Sequence, residues 1–133
     1  MSEFKREIVS TEAAPAAVGN YNQAIVASGS RTLFASGQIG LIPGKPELGL
    51  VGDVAQQTEQ VLRNLAAVLA AAQMSFANVV RATIYLADMG DFATVDRIYG
   101  AAFEPGQHPA RATVQAAALP KGALVEIDVI AVG

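Results

Sequence analysis

The sequence predicts an α+β domain, a mixed β-sheet with two helices packed on one face. Three observations carry this expectation. An apolar stripe of helical period follows Gly52-Asp53, and a second follows Asp91. The segments around them are rich in β-branched residues and bounded by Gly and Pro. Helices separated by strands, with hairpin signals at both ends, belong to α+β or mixed-sheet architectures. The 133 residues fit one domain, residues 1–133, with no internal repeat and no dividing linker.

The elements follow in order. REIVS, residues 6–10, is the first strand candidate. TEAAPAAVGNYNQ, residues 11–23, reads as a loop through Pro15 and Gly19. AIVAS and TLFASGQI flank Gly29-Ser30-Arg31, which reads as a hairpin turn joining residues 24–28 to 32–39. Residues 40–52, GLIPGKPELGLVG, form a loop. Asp53 suits a helix N-cap. Beyond it Val54, Thr58, Val61, Leu62, Leu65, Leu69 and Ala72 share one helical face, with Gln56, Glu59, Gln60 and Arg63 opposite. VVRATIYLAD, residues 79–88, is a strand. Asp91 reads as the cap of a second helix carrying Phe92, Val95, Ile98, Tyr99, Ala102 and Phe103 on one side; EPGQHP ends it. HPARATVQAAALPKGALVEIDVIAV, residues 108–132, reads as two strands around a Pro-Lys-Gly turn. The order is β-β-β-α-β-α-β-β.

Composition narrows the function. Hydrophobic residues make up 52% and charged residues 16% of the chain, more apolar surface than one small core absorbs. A subunit interface is the simplest outlet, so a homo-oligomer is expected, built on the sheet face the helices leave free. Net charge is −3 and the nine Lys and Arg are scattered, which counts against a nucleic-acid partner. The absence of cysteine excludes disulfides, a thiol nucleophile and cysteine metal sites. MSEFKREIV lacks an apolar signal core, and LAAVLAAA is too short to span a bilayer. A soluble, cytoplasmic protein without a membrane partner is expected.

A charge in an apolar strand costs free energy unless it is paired, which singles out Arg111 and Glu126. Paired about the turn, the two strands would place them together on one sheet face. They then form either a surface ion pair of little consequence or a carboxylate clamp (Arg111) beside an acid/base group (Glu126). Arginine suits the clamp because its planar fork grips a carboxylate through two parallel hydrogen bonds. Ser36-Gly37-Gln38 ends a strand; it is a turn, or it offers backbone N–H groups to an anion. Tyr21 is a surface plug or a ligand contact, and Asp96 is most simply a solvated helix residue. His108, the single histidine, has no partner with which to hold a metal. Neither a nucleophile elbow nor a phosphate loop occurs.

APAAVGNYNQA, ASGQI, QTEQVLRNLAAVLAAA, VVRATIYLADMGDFATVDRIY and PARATVQAAALPKGALVEI together resemble the Rid family, the reactive intermediate deaminases or YjgF-type proteins, over about residues 8–132. The resemblance implies a chorismate-mutase-like α+β fold, a homotrimer with active sites between subunits, and hydrolysis of enamine and imine forms of 2-amino acids, such as 2-aminoacrylate, to 2-keto acids and ammonia. It implies no metal and no organic cofactor. It assigns substrate-carboxylate binding to Arg111, water handling to Glu126, and places in the same pocket to Tyr21 and Ser36. Gly37, Asp96 and Thr113 are expected beside them as substrate-binding residues. Three positions depart from the best-characterised deaminase subgroup. Asn20 replaces a proline before the tyrosine and is expected to loosen the loop; Asp96 replaces an asparagine and puts a carboxylate near an anionic substrate; Thr113 replaces a cysteine and keeps a small polar group. A ribonuclease or translation inhibitor, a role reported for some relatives, and a non-enzymatic small-acid sensor or chaperone stay open as other functions.

Overall fold

A computed structural model describes residues 3–133. In chain order its elements are β1 (Lys5–Val9), β2 (Ala24–Ser28), β3 (Thr32–Phe34), α1 (Val54–Ala71), β4 (Val79–Leu86), α2 (Phe92–Gly100), β5 (Ala110–Gln115) and β6 (Val125–Val132), with short 3₁₀ turns between them. The expected element order holds. The strand pairing differs from expectation at both ends.

β1 pairs antiparallel with β2 as a separate ribbon, and the main sheet runs β3-β6-β4-β5. The expected pairing of residues 24–28 with 32–39 therefore does not form. Gly29-Ser30-Arg31 is a crossing between sheets, and Arg31 exchanges backbone hydrogen bonds with Gly133 at 3.2 and 3.0 Å. The second expected hairpin is also absent. β5 runs parallel to β4, with Arg111 opposite Ala82, while β6 lies antiparallel on the other side of β4, with Glu126 opposite Tyr85. The reason is the crossover. A helix between two strands returns the chain parallel to its starting strand, so α2 delivers β5 to one edge of β4. β6 then takes the other edge, and the Pro-Lys-Gly segment passes over the end of β4.

Helix α1 starts as its sequence asks. Asp53 Oδ1 accepts from Gln56 N at 2.9 Å, and Gln56 Oε1 accepts from Asp53 N at 2.9 Å, which closes a capping box. Asp91 provides no side-chain cap for α2; Asp88 accepts from Gly90 N at 2.8 Å and caps the 3₁₀ turn that leads into it. Ala102 and Phe103, expected on α2, fall in the turn after it.

Alternation along the central strands fixes the layers. Val125, Ile127, Val129 and Ala131 of β6, with Ala82, Ile84 and Leu86 of β4, are buried against Val61, Leu65 and Leu69 of α1 and Val95 and Tyr99 of α2. Thr83, Tyr85, Glu126, Asp128 and Ile130 line the opposite face and are half-buried. Gln60 was expected on the outer face of α1 but is 8% exposed. It joins a buried amide stripe with Gln57 and Asn64: Gln60 Nε2 donates to Asn64 Oδ1 at 2.9 Å, Asn64 Nδ2 to Leu41 O at 2.9 Å, and Leu124 N to Gln57 Oε1 at 3.0 Å. These amides satisfy loop backbone that would otherwise be buried unpaired.

Candidate active site

Strand register places Arg111. It lies opposite Ala82, itself opposite Val129, so all three side chains share the helix-covered face. The Arg111 side chain is 3% exposed. It forms an ion pair with Asp96 Oδ1 through Nη1, and its guanidinium carbon stands 5.2 Å from the ring centre of Tyr21, 5.5 Å from Phe92 and 5.3 Å from Tyr99. Aromatic faces attract a guanidinium through their negative π clouds. Phe92, Asp96 and Tyr99 stand at helical spacing i, i+4 and i+7, so α2 aims all three at the same point.

Tyr21 comes from the loop between β1 and β2. Asn22 anchors that loop by donating to His108 O at 2.7 Å and Gly106 O at 3.1 Å, and Tyr21 Oη accepts from Val18 N at 3.3 Å. Asn20 does not loosen the loop as expected. Its Nδ2 donates to Asp96 O at 3.0 Å and Asp96 Oδ2 at 3.3 Å, tying the loop to α2. Gly100 makes room for this tie, since a Cβ there would sit 2.2 Å from Asn20 Nδ2.

Two buried hydroxyls in the region have no hydrogen-bond partner among the described residues: Thr113 Oγ1, on the same strand face as Arg111, and Tyr99 Oη. Burial pushes the Tyr99 phenol well above its usual ionisation range; the Arg111 charge opposes that shift and the Asp96 charge adds to it.

Glu126 lies elsewhere. Its parity puts it on the other sheet face with Asp128 and Tyr85, whose hydroxyl donates to Asp128 Oδ2 at 3.2 Å. The nearby Asp128 charge pushes the Tyr85 phenol up. Gly37 meets Glu126 here, with Ser36 next to it in the chain. Ala35 N bonds Val129 O at 3.0 Å and Gln38 N bonds Ile127 O at 2.9 Å, so the chain beyond β3 carries one more residue than β6 between those bonds. That bulge leaves the exposed Ser36 and Gly37 amides without backbone acceptors among the described residues. It also presses Gly37 against Glu126: a Cβ at 37 would stand 2.0 Å from Glu126 Oε2.

The site residues expected from sequence thus form two clusters. Tyr21, Asp96, Arg111 and Thr113 gather under α2; Ser36, Gly37 and Glu126 gather on the far face. The expected Arg111–Glu126 neighbourhood is overturned, because β4 separates β5 from β6 and the two side chains point to opposite faces. The surface-pair reading fails with it, since Arg111 is buried and bonded to Asp96. Asp96, 17% exposed, is not a solvated helix residue. Sequence reading missed Phe92, Tyr99 and Asn20 as site residues. The 92/96/99 spacing was the signal for the first two; Asn20 stood out only as a departure beside Tyr21, and nothing signalled its tie to Asp96, which is remote in sequence.

His108 is structural: Nε2 lies 3.0 Å from Gly100 O and its ring packs on Phe103 with centroids 5.7 Å apart. A cavity of about 660 Å³ lies away from both clusters, lined by Phe4, Arg6, Phe76 and Phe103 among others. Size does not make it the site. Its one guanidinium is taken up by carbonyls, with Arg6 Nε donating to Val79 O at 3.2 Å and Nη2 to Gln107 O at 2.6 Å. Among the described residues no three His, Asp or Glu gather as a metal would require, and no helix is long and apolar enough to cross a membrane.

Comparison with known proteins gives a consistent picture. The family model described as endoribonuclease L-PSP matches residues 11–133. The chain is 49% identical over 132 residues to protein DfrA of Myxococcus xanthus, covering 99% of each chain. It is 48% identical to a 2-iminobutanoate/2-iminopropanoate deaminase of Rattus norvegicus, covering 99% of this chain and 93% of the relative. Among solved structures, a Yersinia pestis protein of the conserved Rid family, YyfA, superposes with a TM-score of 0.71 at 43% identity, covering 97% of this chain and 100% of the other.

Proposed function

The chain belongs to the endoribonuclease L-PSP family, that is, to the Rid (YjgF-type) proteins, and from that premise we propose that it hydrolyses reactive 2-imino and 2-enamino acids to 2-keto acids and ammonia. The observation that carries the proposal is the Arg111 cluster: a guanidinium 3% exposed, caged by aromatic rings, with Asp96 as its one hydrogen-bond partner among the described residues and the unpartnered Thr113 hydroxyl on the same strand face. Asp96 takes one of the guanidinium N–H groups, and the donors that remain suit the grip of a small carboxylate. Relatives named as 2-iminobutanoate/2-iminopropanoate deaminases, at 45–48% identity, support the same reaction.

The chemistry asks little of the protein. Arg111 holds the substrate carboxylate and so orients C2 of the imine. Glu126 takes a proton from water as its oxygen bonds to C2 of the protonated imine and the C=N π pair moves to nitrogen; it returns that proton to nitrogen, and as the C2–N bond breaks and ammonia leaves it takes the C2 hydroxyl proton, so that C2=O forms. The Ser36 and Gly37 amides, free of backbone acceptors, stabilise oxygen as negative charge develops on it. Orientation and one acid/base group suffice for a substrate that already hydrolyses in water.

Arg111 and Glu126 of one protomer lie on opposite sheet faces, so a working site draws Arg111 from one copy and Glu126 from its neighbour in a homotrimer. Phe34, 75% exposed, and Val114, 46% exposed, sit on the sheet face away from the helices and supply apolar surface for that contact. RNA cleavage lacks comparable support, since the net charge of −3 gives phosphates no attraction.

A coupled assay tests the reading. A lyase generates 2-aminoacrylate and pyruvate formation is followed. Wild type accelerates it, Arg111→Ala abolishes the acceleration, and Glu126→Gln slows it while ligand still binds. Oligomers reassembled from an equal mixture of R111A and E126Q subunits recover about a quarter of wild-type activity, because one site type then inherits both intact groups. No acceleration by wild type refutes the function; absence of recovery from the mixture refutes the shared site.

A further inference from the structure

We infer that Asp96 is a second recognition group of the Arg111 cluster, selecting ligands that carry a cationic nitrogen beside their carboxylate. The inference rests on the carboxylate site proposed above and goes beyond it. Asp96 Oδ1 occupies Arg111 Nη1, and Asp96 Oδ2 is held by Asn20 Nδ2 at 3.3 Å. The carboxylate is therefore fixed from two sides, with its side chain 17% exposed. It stands where an incoming acid would seek the guanidinium.

A plain anion either takes the Arg111 N–H groups that Asp96 leaves free, which puts two carboxylates close together with one cation between them, or displaces Asp96 from Nη1. Like charges at that range repel, and a partly buried carboxylate without a partner is costly. A zwitterion avoids both penalties. Its carboxylate takes Arg111 while its cationic nitrogen takes Asp96, so every charge keeps an opposite partner. Asn20 still holds the second oxygen, so the carboxylate need not leave its position for this exchange.

The consequence reaches the reaction. A protonated 2-imino acid is a zwitterion and is the form that water attacks. The 2-keto acid product is a plain anion. Asp96 thus favours the electrophilic form of the substrate and works against retention of the product.

The test uses two stable probes of matched shape, L-alanine and L-lactate, which differ in an ammonium against a hydroxyl. Binding to the whole protein is followed by chemical-shift titration. Wild type prefers alanine by about tenfold, the scale of one charge-assisted hydrogen bond at a partly exposed site. Asp96→Asn keeps shape and removes charge; the preference collapses or reverses, with lactate gaining affinity. Asp96→Glu, which restores the charge, recovers the preference for alanine and guards against a D96N variant that fails to fold. An alanine-to-lactate ratio equal in wild type and D96N, or a wild type that prefers lactate, overturns the inference. Arg111→Ala separates the two levels. If it weakens both probes while D96N leaves their ratio unchanged, only the role of Asp96 fails. If neither probe binds wild type, or R111A weakens neither, the carboxylate site fails and Asp96 with it.

Discussion

Replacing Gly37 with alanine is expected to disable hydrolysis through Glu126 while leaving the fold intact. A Cβ at 37 would stand 2.0 Å from Glu126 Oε2, 2.8 Å from its Cδ and 3.1 Å from its Cγ. Restoring van der Waals separation moves the carboxylate by about 1.5 Å. The backbone does not resist the change, because Gly37 is not among the glycines with positive φ. Strain falls on the outer end of a flexible side chain and costs about 1 kcal/mol, the scale of an off-rotamer torsion. Activity is far more sensitive, since a displacement of about 1 Å in a reacting group costs on the order of 100-fold in rate. The assay is pyruvate formation from 2-aminoacrylate, read beside a urea unfolding curve. G37A should lose about two orders of magnitude in kcat/KM with a small change in stability. The same substitution in an E126Q background should add little, because the group it displaces is already disabled. Two results refute the reasoning: a G37A enzyme at the wild-type rate, or a loss just as large in the E126Q background.

Two further predictions concern the Arg111 cluster. Asn20→Ala removes the tie between the Tyr21 loop and α2; about 1 kcal/mol of stability is lost, residues 11–23 become more easily cleaved by protease, and KM rises more than kcat falls. An unchanged digestion pattern and melting curve would show that the tie carries no weight. Tyr99→Phe deletes a hydroxyl that is buried without a partner, so stability at neutral pH holds or rises. In the wild type the phenol stays protonated in the folded chain but ionises from 10.0 upward in the unfolded chain; the folded state then holds more protons, and stability falls as pH climbs past that value. Y99F lacks this term, so urea curves taken on both sides of pH 10 should show a shallower alkaline loss than wild type, and equal slopes would count against a buried neutral phenol.

What was legible in the sequence was local. The α1 stripe and its Asp53 cap are decided by residues within a turn of each other, and both appear as read, Gln60 on the opposite face excepted. Arg111 was legible because a charge in an apolar strand demands a partner. Its partner was legible only through the family resemblance, because finding Asp96 from the residues required reading α2 as the stripe 92/96/99 instead of treating Asp96 as a solvated helix residue. Strand order was illegible for a deeper reason. The Pro-Lys-Gly turn and Gly29-Ser30-Arg31 are sound local signals for hairpins. The α2 crossover fixes β5 beside β4, however, and that constraint acts through the sheet, not through neighbours in sequence. Gln57, Gln60 and Asn64 escaped notice as buried residues because the carbonyls and amide they satisfy belong to segments folded over α1 from elsewhere.

The separation of the two clusters changes what each charge is for. Had Arg111 and Glu126 shared a face, each would have balanced the other within the protomer. Instead the single ion pair among the described residues joins Arg111 to Asp96. Arg111 is neutralised within its own protomer and can remain buried before any ligand arrives. Glu126 is thereby released from that duty. It stands half-buried on the far face beside Asp128, in a stretch whose alternation would accept an apolar residue as readily. A carboxylate placed there, against a bulge that frees two backbone amides and a glycine that leaves it room, makes no side-chain hydrogen bond or ion pair within the protomer among the described residues. Its use must come from what meets that face, which is why the activity proposed for this chain and its assembly stand or fall together.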